Sequence, residues 1–142
     1  MHEDTLAHVD LFAGLEKKDL QQLAGACRER TYSAGSRLIK QGDIGAGLYV
    51  ITDGTVHITR ETDPDKPELD LGTVGPGNVL GEMTLLDDLP RSANVTAVSD
   101  VTALLLPVWE FRATLRSYPD IALRLLSTLS RRLRKAESNL RD

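Results

Sequence analysis

The chain has 142 residues, 41% apolar and 27% charged, with a formal charge of −4, a composition that predicts one globular domain over 1–142. The acidic balance argues against DNA binding by this chain, because such affinity rests on clustered Lys and Arg. The single cysteine, Cys27, excludes a disulfide framework, and no stretch approaches the ~18–20 apolar residues of a membrane span. A cytoplasmic chain without membrane insertion is expected.

The start, MHEDTLAHVD, is acidic where a secretory signal would be basic and then apolar. From Leu15 to Cys27 apolar residues recur at 20, 23, 24 and 27, which predicts a helix over 15–27. After Thr31 the period changes to short runs: RLI at 37–39, LYVIT at 48–52, TVHIT at 55–59, LDLGTV at 69–74, NVTAV at 94–98 and VTALLL at 101–106. Turn signals separate them, so an antiparallel β-roll of about eight strands, jelly-roll-like, is expected over 30–107. Asp53-Gly54 between two alternating runs predicts a type I′ hairpin that pairs 48–52 with 55–59.

Beyond Pro107 the helical period returns, giving two C-terminal helices over 108–140, the second starting at Pro119. Leu126, Leu129, Leu133, Ala136 and Leu140 form an a/d seam of about two heptads. It reads either as a helix lying on its own roll or as the contact of a homodimer. The run RRLRK at 131–135 reads as a solvated face near a helix C-terminus.

The stretch GEMTLLDDLPRSANV at 81–95 carries the chemistry. Glu82 follows a glycine and Arg91 precedes two small residues, Ser92 and Ala93. Small neighbours leave main-chain N–H groups open to a ligand, and the short apolar turn EMTLLDD offers a helical N-terminus to an anion. Arginine presents a planar fork to two phosphate oxygens, and Ser92 adds a hydroxyl. A carboxylate beside a phosphate makes sense when it accepts hydrogen bonds from something neutral attached to that phosphate, for which a ribose hydroxyl is the obvious choice. The bland alternative is that Glu82 and Arg91 pair with each other or face solvent separately.

This stretch, with the upstream LIKQGDIGAGLYVITDG, resembles the cyclic nucleotide-binding domain shared by the bacterial catabolite activator protein, protein kinase A regulatory subunits and nucleotide-gated channels. The resemblance runs from about Leu11 to the last helix. It implies cAMP or cGMP as ligand, with no other cofactor, and a ligand-binding set of Gly81, Glu82, Met83, Arg91, Ser92 and Ala93. Gly81 and Glu82 would meet the ribose 2′-hydroxyl, Arg91 the cyclic phosphate, and Ser92 and Ala93 the phosphate through side chain and backbone. Gly42, Gly45, Gly47 and Gly54 would shape turns rather than touch ligand, so QGDIGAG is no dinucleotide fingerprint.

Two departures from the family pattern stand out. Thr84 occupies a place where a smaller residue is usual. The Thr-Ser pair that catabolite activators offer to the adenine falls here on Ala136 and Glu137, leaving base contact to those positions and Leu133, or to Ser138 or Asn139 of either subunit. The base itself stays open.

Elsewhere, His2, His8 and His57 follow no metal-ligand spacing, and His57 reads as a sheet residue facing solvent. Trp109 and Phe111 read as core or hinge packing, and Tyr118 as a residue to watch. With no nucleophile–base pair in a recognisable arrangement, the chain reads as a non-enzymatic sensor that signals to an unknown effector protein by moving its last helix. The start at Met1 favours a one-domain protein over a regulatory piece of a longer channel, kinase or transporter. The rival reading is a ligand-independent dimeric scaffold.

Overall fold

Short β-rich runs broken by glycine and polar turns become eight antiparallel strands, seen in a computed structural model that describes residues 2–87 and 89–141. Met1, Asp88 and Asp142, and the side chains of Leu140 and Arg141, lie outside the described part, which therefore leaves out the side chain of the last seam residue and the final acid of EMTLLDD. The chain divides into two compact units: the roll, Cys27–Val108, and a helical unit made of the segments before Cys27 and after Val108.

The strands are β1 (Arg28–Tyr32), β2 (Arg37–Ile39), β3 (Gly47–Asp53), β4 (Val56–Arg60), β5 (Leu69–Val74), β6 (Val79–Leu80), β7 (Asn94–Ala97) and β8 (Val101–Pro107). They form two four-stranded sheets, ordered β1-β8-β3-β6 and β2-β7-β4-β5. The core between them gathers Tyr49, Ile51, Val56, Val95, Ala103 and Leu105 with their neighbours. Strands β3 and β8 are buried along nearly their whole length, which explains why they read as continuous apolar runs rather than alternating ones.

The Asp53-Gly54 hairpin is not there. β3 pairs with β8 and β6, β4 pairs with β5 and β7, and so the two strands belong to different sheets. A type I′ turn needs positive φ at both central residues, and here Gly54 alone has it, at 90°. The glycine serves instead where the chain leaves one sheet for the other: a Cβ on it would overlap the carbonyl oxygen of Asp100. Thr55 then donates its N–H to Ser99 Oγ at 3.1 Å and accepts from Val98 N–H at 2.9 Å, fixing the crossing.

Strand β1 starts before the expected edge of the roll. Its sequence, RERTY, offers no apolar period, because it is an edge strand exposed along most of its length and held by its ladder to β8.

In the helical unit the helix expected over 15–27 is shorter, α2 (Lys17–Ala24), and two pieces precede it that the acidic start concealed, α1 (His2–Leu6) and a 3-10 turn at Asp10–Phe12. Their apolar residues Leu6, Val9, Leu11 and Phe12 are all buried, and Phe12 stacks on Phe111 with ring centroids 6.3 Å apart. Asp19 accepts the N–H of Glu16 at 2.9 Å, capping α2. Helices α3 (Val108–Ser117) and α4 (Pro119–Arg141) complete the unit. Phe111 is core, but Trp109 is 65% exposed and does not fill the packing role expected of it.

On α4, Ile121, Leu125 and Thr128 are buried, whereas Leu126 and Leu133 of the seam are exposed, Leu129 is half-buried and Ala136 is exposed. No helix of the described residues is long and apolar enough to cross a membrane.

Candidate nucleotide site

Between β2 and β3 the chain makes a loop, 40–46, that is sewn to the backbone of Arg91. Gly42 donates its N–H to the Arg91 carbonyl at 2.9 Å, Arg91 donates its own N–H to the Asp43 carbonyl at 2.8 Å, and Ile44 bridges to Pro90. No helix opens here, so QGDIGAG is a strand-to-strand loop.

The arginine side chain then turns inward. Its guanidinium donates from one terminal nitrogen to the carbonyl oxygen of Gly47, and the residue is only 7% exposed. Burial pushes the guanidinium below its ordinary pKa, the direction set by taking a cation out of water. Such a charge is costly to bury unless anionic or hydrogen-bonding partners surround it.

Two glycines form the walls around this group. A Cβ on Gly45 would overlap the Nε and Cζ of Arg91, and a Cβ on Gly81 would overlap a terminal nitrogen. Gly45 was expected to shape a turn; its contact is with the arginine. Gly81 has a second reason to be glycine, a left-handed φ of 76° as it opens the single 3-10 turn Glu82–Leu85. Leu85 pins that turn into the core at 1% exposure. The Thr84 hydroxyl donates back to the Gly81 carbonyl at 2.6 Å, so the unusual residue stitches the turn shut.

A cavity of about 480 Å³ opens at this point, a size suited to a small-molecule ligand. Gly81, Glu82, Met83, Arg91, Ser92 and Ala93 all line it, together with an apolar wall that includes Ile39, Ile58, Leu80 and Val95. The lining thus combines cationic and polar groups with apolar side chains. The segment beyond the arginine is fixed from outside: Arg60 Nε donates to the Ser92 carbonyl at 2.9 Å, and Asn94 Oδ1 accepts the Gln41 N–H at 2.8 Å. The sequence-named base contacts Leu133, Ala136 and Glu137 stand on α4, exposed, in the helical unit.

Arg91 also lines a smaller cavity of about 180 Å³, together with Gly45, Ala46 and Tyr49 among others. The helical unit has one of about 390 Å³ beside Asp19 and Tyr118, where the Asp19 carboxylate is already taken by Arg124 at 3.1 Å and by the Glu16 N–H. Among the described residues no three His, Cys, Asp or Glu converge on a metal position. His57 is half-buried in β4 and meets Asp70 across the strands at 2.9 Å, rather than facing solvent alone.

The family model for the cyclic nucleotide-binding domain matches residues 29–118. The chain belongs to the cyclic nucleotide-binding domain family. Over 92% of its length this domain is 37% identical to the cyclic AMP receptor protein of Thermus thermophilus, of which it covers 60%. It is 33% identical over its whole length to the cAMP-dependent protein kinase type II regulatory subunit of Drosophila melanogaster, covering 38% of it. The N-terminal domain of a transcriptional regulator from Streptomyces coelicolor superimposes with a TM-score of 0.86 at 37% identity, over 96% of this chain and 95% of that one. The chain therefore spans less than two thirds of each of these two sequence relatives. It is a cyclic nucleotide-binding domain of the type found in receptor proteins and kinase regulatory subunits.

Proposed function

We propose that the domain is a non-enzymatic sensor of cAMP or cGMP. The observation that carries this is the buried Arg91 guanidinium lining a cavity of about 480 Å³ together with Gly81, Glu82, Ser92 and Ala93 of the same short stretch. A cyclic phosphate brings the negative charge that a buried cation lacks in water-poor surroundings, and Glu82 accepts hydrogen bonds from the ribose hydroxyl. Met83 flanks them, and the apolar wall receives the rest of the nucleotide. The two relatives named as receptor and regulatory subunit support regulation over catalysis.

In this reading binding at 81–93 repositions α4, and the signal equals the ligand's difference in affinity between the helix positions. The base contacts are proposed on Leu133, Ala136 and Glu137, with an effector protein as the recipient. The exposed Leu126 and Leu133, spaced as a seam, support a homodimer through α4, with a second copy of the chain as the occupant of that face. Sedimentation of the purified chain tests this, a monomer at all concentrations being the result against it. A cytoplasmic setting suits a chain whose one thiol, Cys27, is half-buried and free of any disulfide.

The same leucine face would also serve a ligand-independent scaffold. Calorimetric titration of the nucleotide-stripped protein with cAMP and with cGMP separates the two. Saturable heat with either nucleotide supports the sensor and names the base; none with both, at several temperatures, leaves the scaffold.

A further inference from the structure

We infer that Gly45 is a positioning residue of the anion site, its missing side chain forming one wall of the slot through which Arg91 reaches the nucleotide cavity. The inference rests on the reading of that cavity as a nucleotide site. It starts from a difference between glycines of one molecule. Gly35 has a φ of 87° and no atom within 4 Å of where a Cβ would stand, so it is glycine for its backbone alone. Gly45 is the reverse case: it lies outside the left-handed region, so any residue could adopt its backbone, yet a Cβ there would overlap the arginine's Nε and Cζ.

The atoms that a methyl at 45 would meet belong to the arginine side chain itself, so the arginine is the group that has to shift. A Cβ at Gly81 would likewise collide with it, so the guanidinium lies against two bare Cα atoms. Its backbone is held at both N–H and carbonyl by Asp43 and Gly42, residues of the very loop that carries Gly45. Its tip is tied to the carbonyl of Gly47, the first residue of β3 and the one that follows that loop. Displacing the loop therefore drags the arginine's main chain with it, and a methyl group at 45 has to be accommodated by moving the guanidinium itself. A fork that matches two phosphate oxygens loses its geometry under a shift of that size. The loop thus sets the reach and angle of the cation.

Two measurements test this, and they fail separately. First, Gly45→Ala should weaken cyclic nucleotide binding by roughly tenfold to a hundredfold, the cost typical of a polar group misplaced by about an ångström. Gly35→Ala, at a left-handed glycine that is not among the residues lining the cavity, should lower thermal stability and leave the affinity unchanged. Second, a double-mutant cycle read by thermal unfolding of the stripped protein needs no ligand. Gly45→Ala should lower Tm in the parent and have almost no effect in the Arg91→Ala background, where the guanidinium is gone. Equal Tm losses in both backgrounds would overturn the slot, and unchanged affinity in a folded Gly45→Ala protein would overturn the positioning role. If the parent binds neither cAMP nor cGMP, the nucleotide reading and the role in binding fall together, while the cycle still decides the slot.

Discussion

Two arginines of this molecule are held in place by opposite means. In the helical unit Arg124 meets carboxylates, Asp19 at 3.1 Å and Glu16 at 3.4 Å, and Asp19 is 4% exposed. In the roll Arg91 donates to a backbone carbonyl and lies against glycines. A carboxylate orients a guanidinium and cancels its charge; a carbonyl orients it and leaves the charge to act on something else. The first arrangement ties α2 to α4, and the second aims a cation at a cavity.

The contrast is sharpest if each arginine is removed in turn. Arg91→Ala should cost about 2–5 kcal/mol of nucleotide binding, the penalty of stripping a buried charge of its partner. For a micromolar ligand, worth about −8 kcal/mol, that ends useful affinity. Folding should hardly change, because the deletion also relieves the burial that depresses this group. Calorimetry and a thermal melt of the same variant check both halves. A variant that melts early and binds normally would reverse the assignment and favour the scaffold.

How much of this was legible beforehand depends on what each feature needs. Strands β2 and β5 begin and end where their β-rich runs do, because turn residues bound them on both sides. The family resemblance was carried by 81–93, where residue type alone implies chemistry: a carboxylate, a guanidinium, small neighbours. The Asp53-Gly54 signal misled because a local turn preference cannot tell a hairpin from a crossing between sheets, and pairing is decided by partners distant in the chain. Polar β1 escaped because edge strands bury little. Gly45 escaped for a different reason. Its need is for space against a side chain 46 positions later, and a sequence displays backbone requirements far better than it displays proximity. The hydroxyl of Thr84 belongs with it: an oddity in sequence, a closing bond in three dimensions.

Removing the other arginine should give the complementary result. Arg124→Ala strips the buried Asp19 carboxylate of its guanidinium partner while the Glu16 N–H still donates to it, which should cost about 1–3 kcal/mol of stability. Chemical denaturation reads this as a lower midpoint with an unchanged slope. Because Arg124 is not among the residues lining the nucleotide cavity, the calorimetric stoichiometry of the folded variant should match the parent. A loss of stability too small to detect would mean that the carboxylate clamp is decorative, and the distinction between the two arginines would then rest on Arg91 alone.

The smallest effect is expected where an ion pair is exposed. His57 and Asp70 meet at 2.9 Å across β4 and β5, with the Asp70 side chain 72% exposed. The hydrogen bond from His57, and then the Gly72 N–H, hold the Asp70 carboxyl below its ordinary range. A carboxyl whose pKa is lower folded than unfolded stabilises the fold above its unfolded value, about 3.9, and loses that contribution as pH falls through the folded one. Asp70→Asn should therefore leave the melting temperature at pH 3 nearly untouched and lower it slightly at pH 6, flattening the acid limb. Solvent screens such a pair, so the shift at pH 6 should be well below that of Arg124→Ala. A larger shift would show that the cross-strand pair governs the β4–β5 register, and that the roll, like the helical unit, relies on a carboxylate for more than decoration.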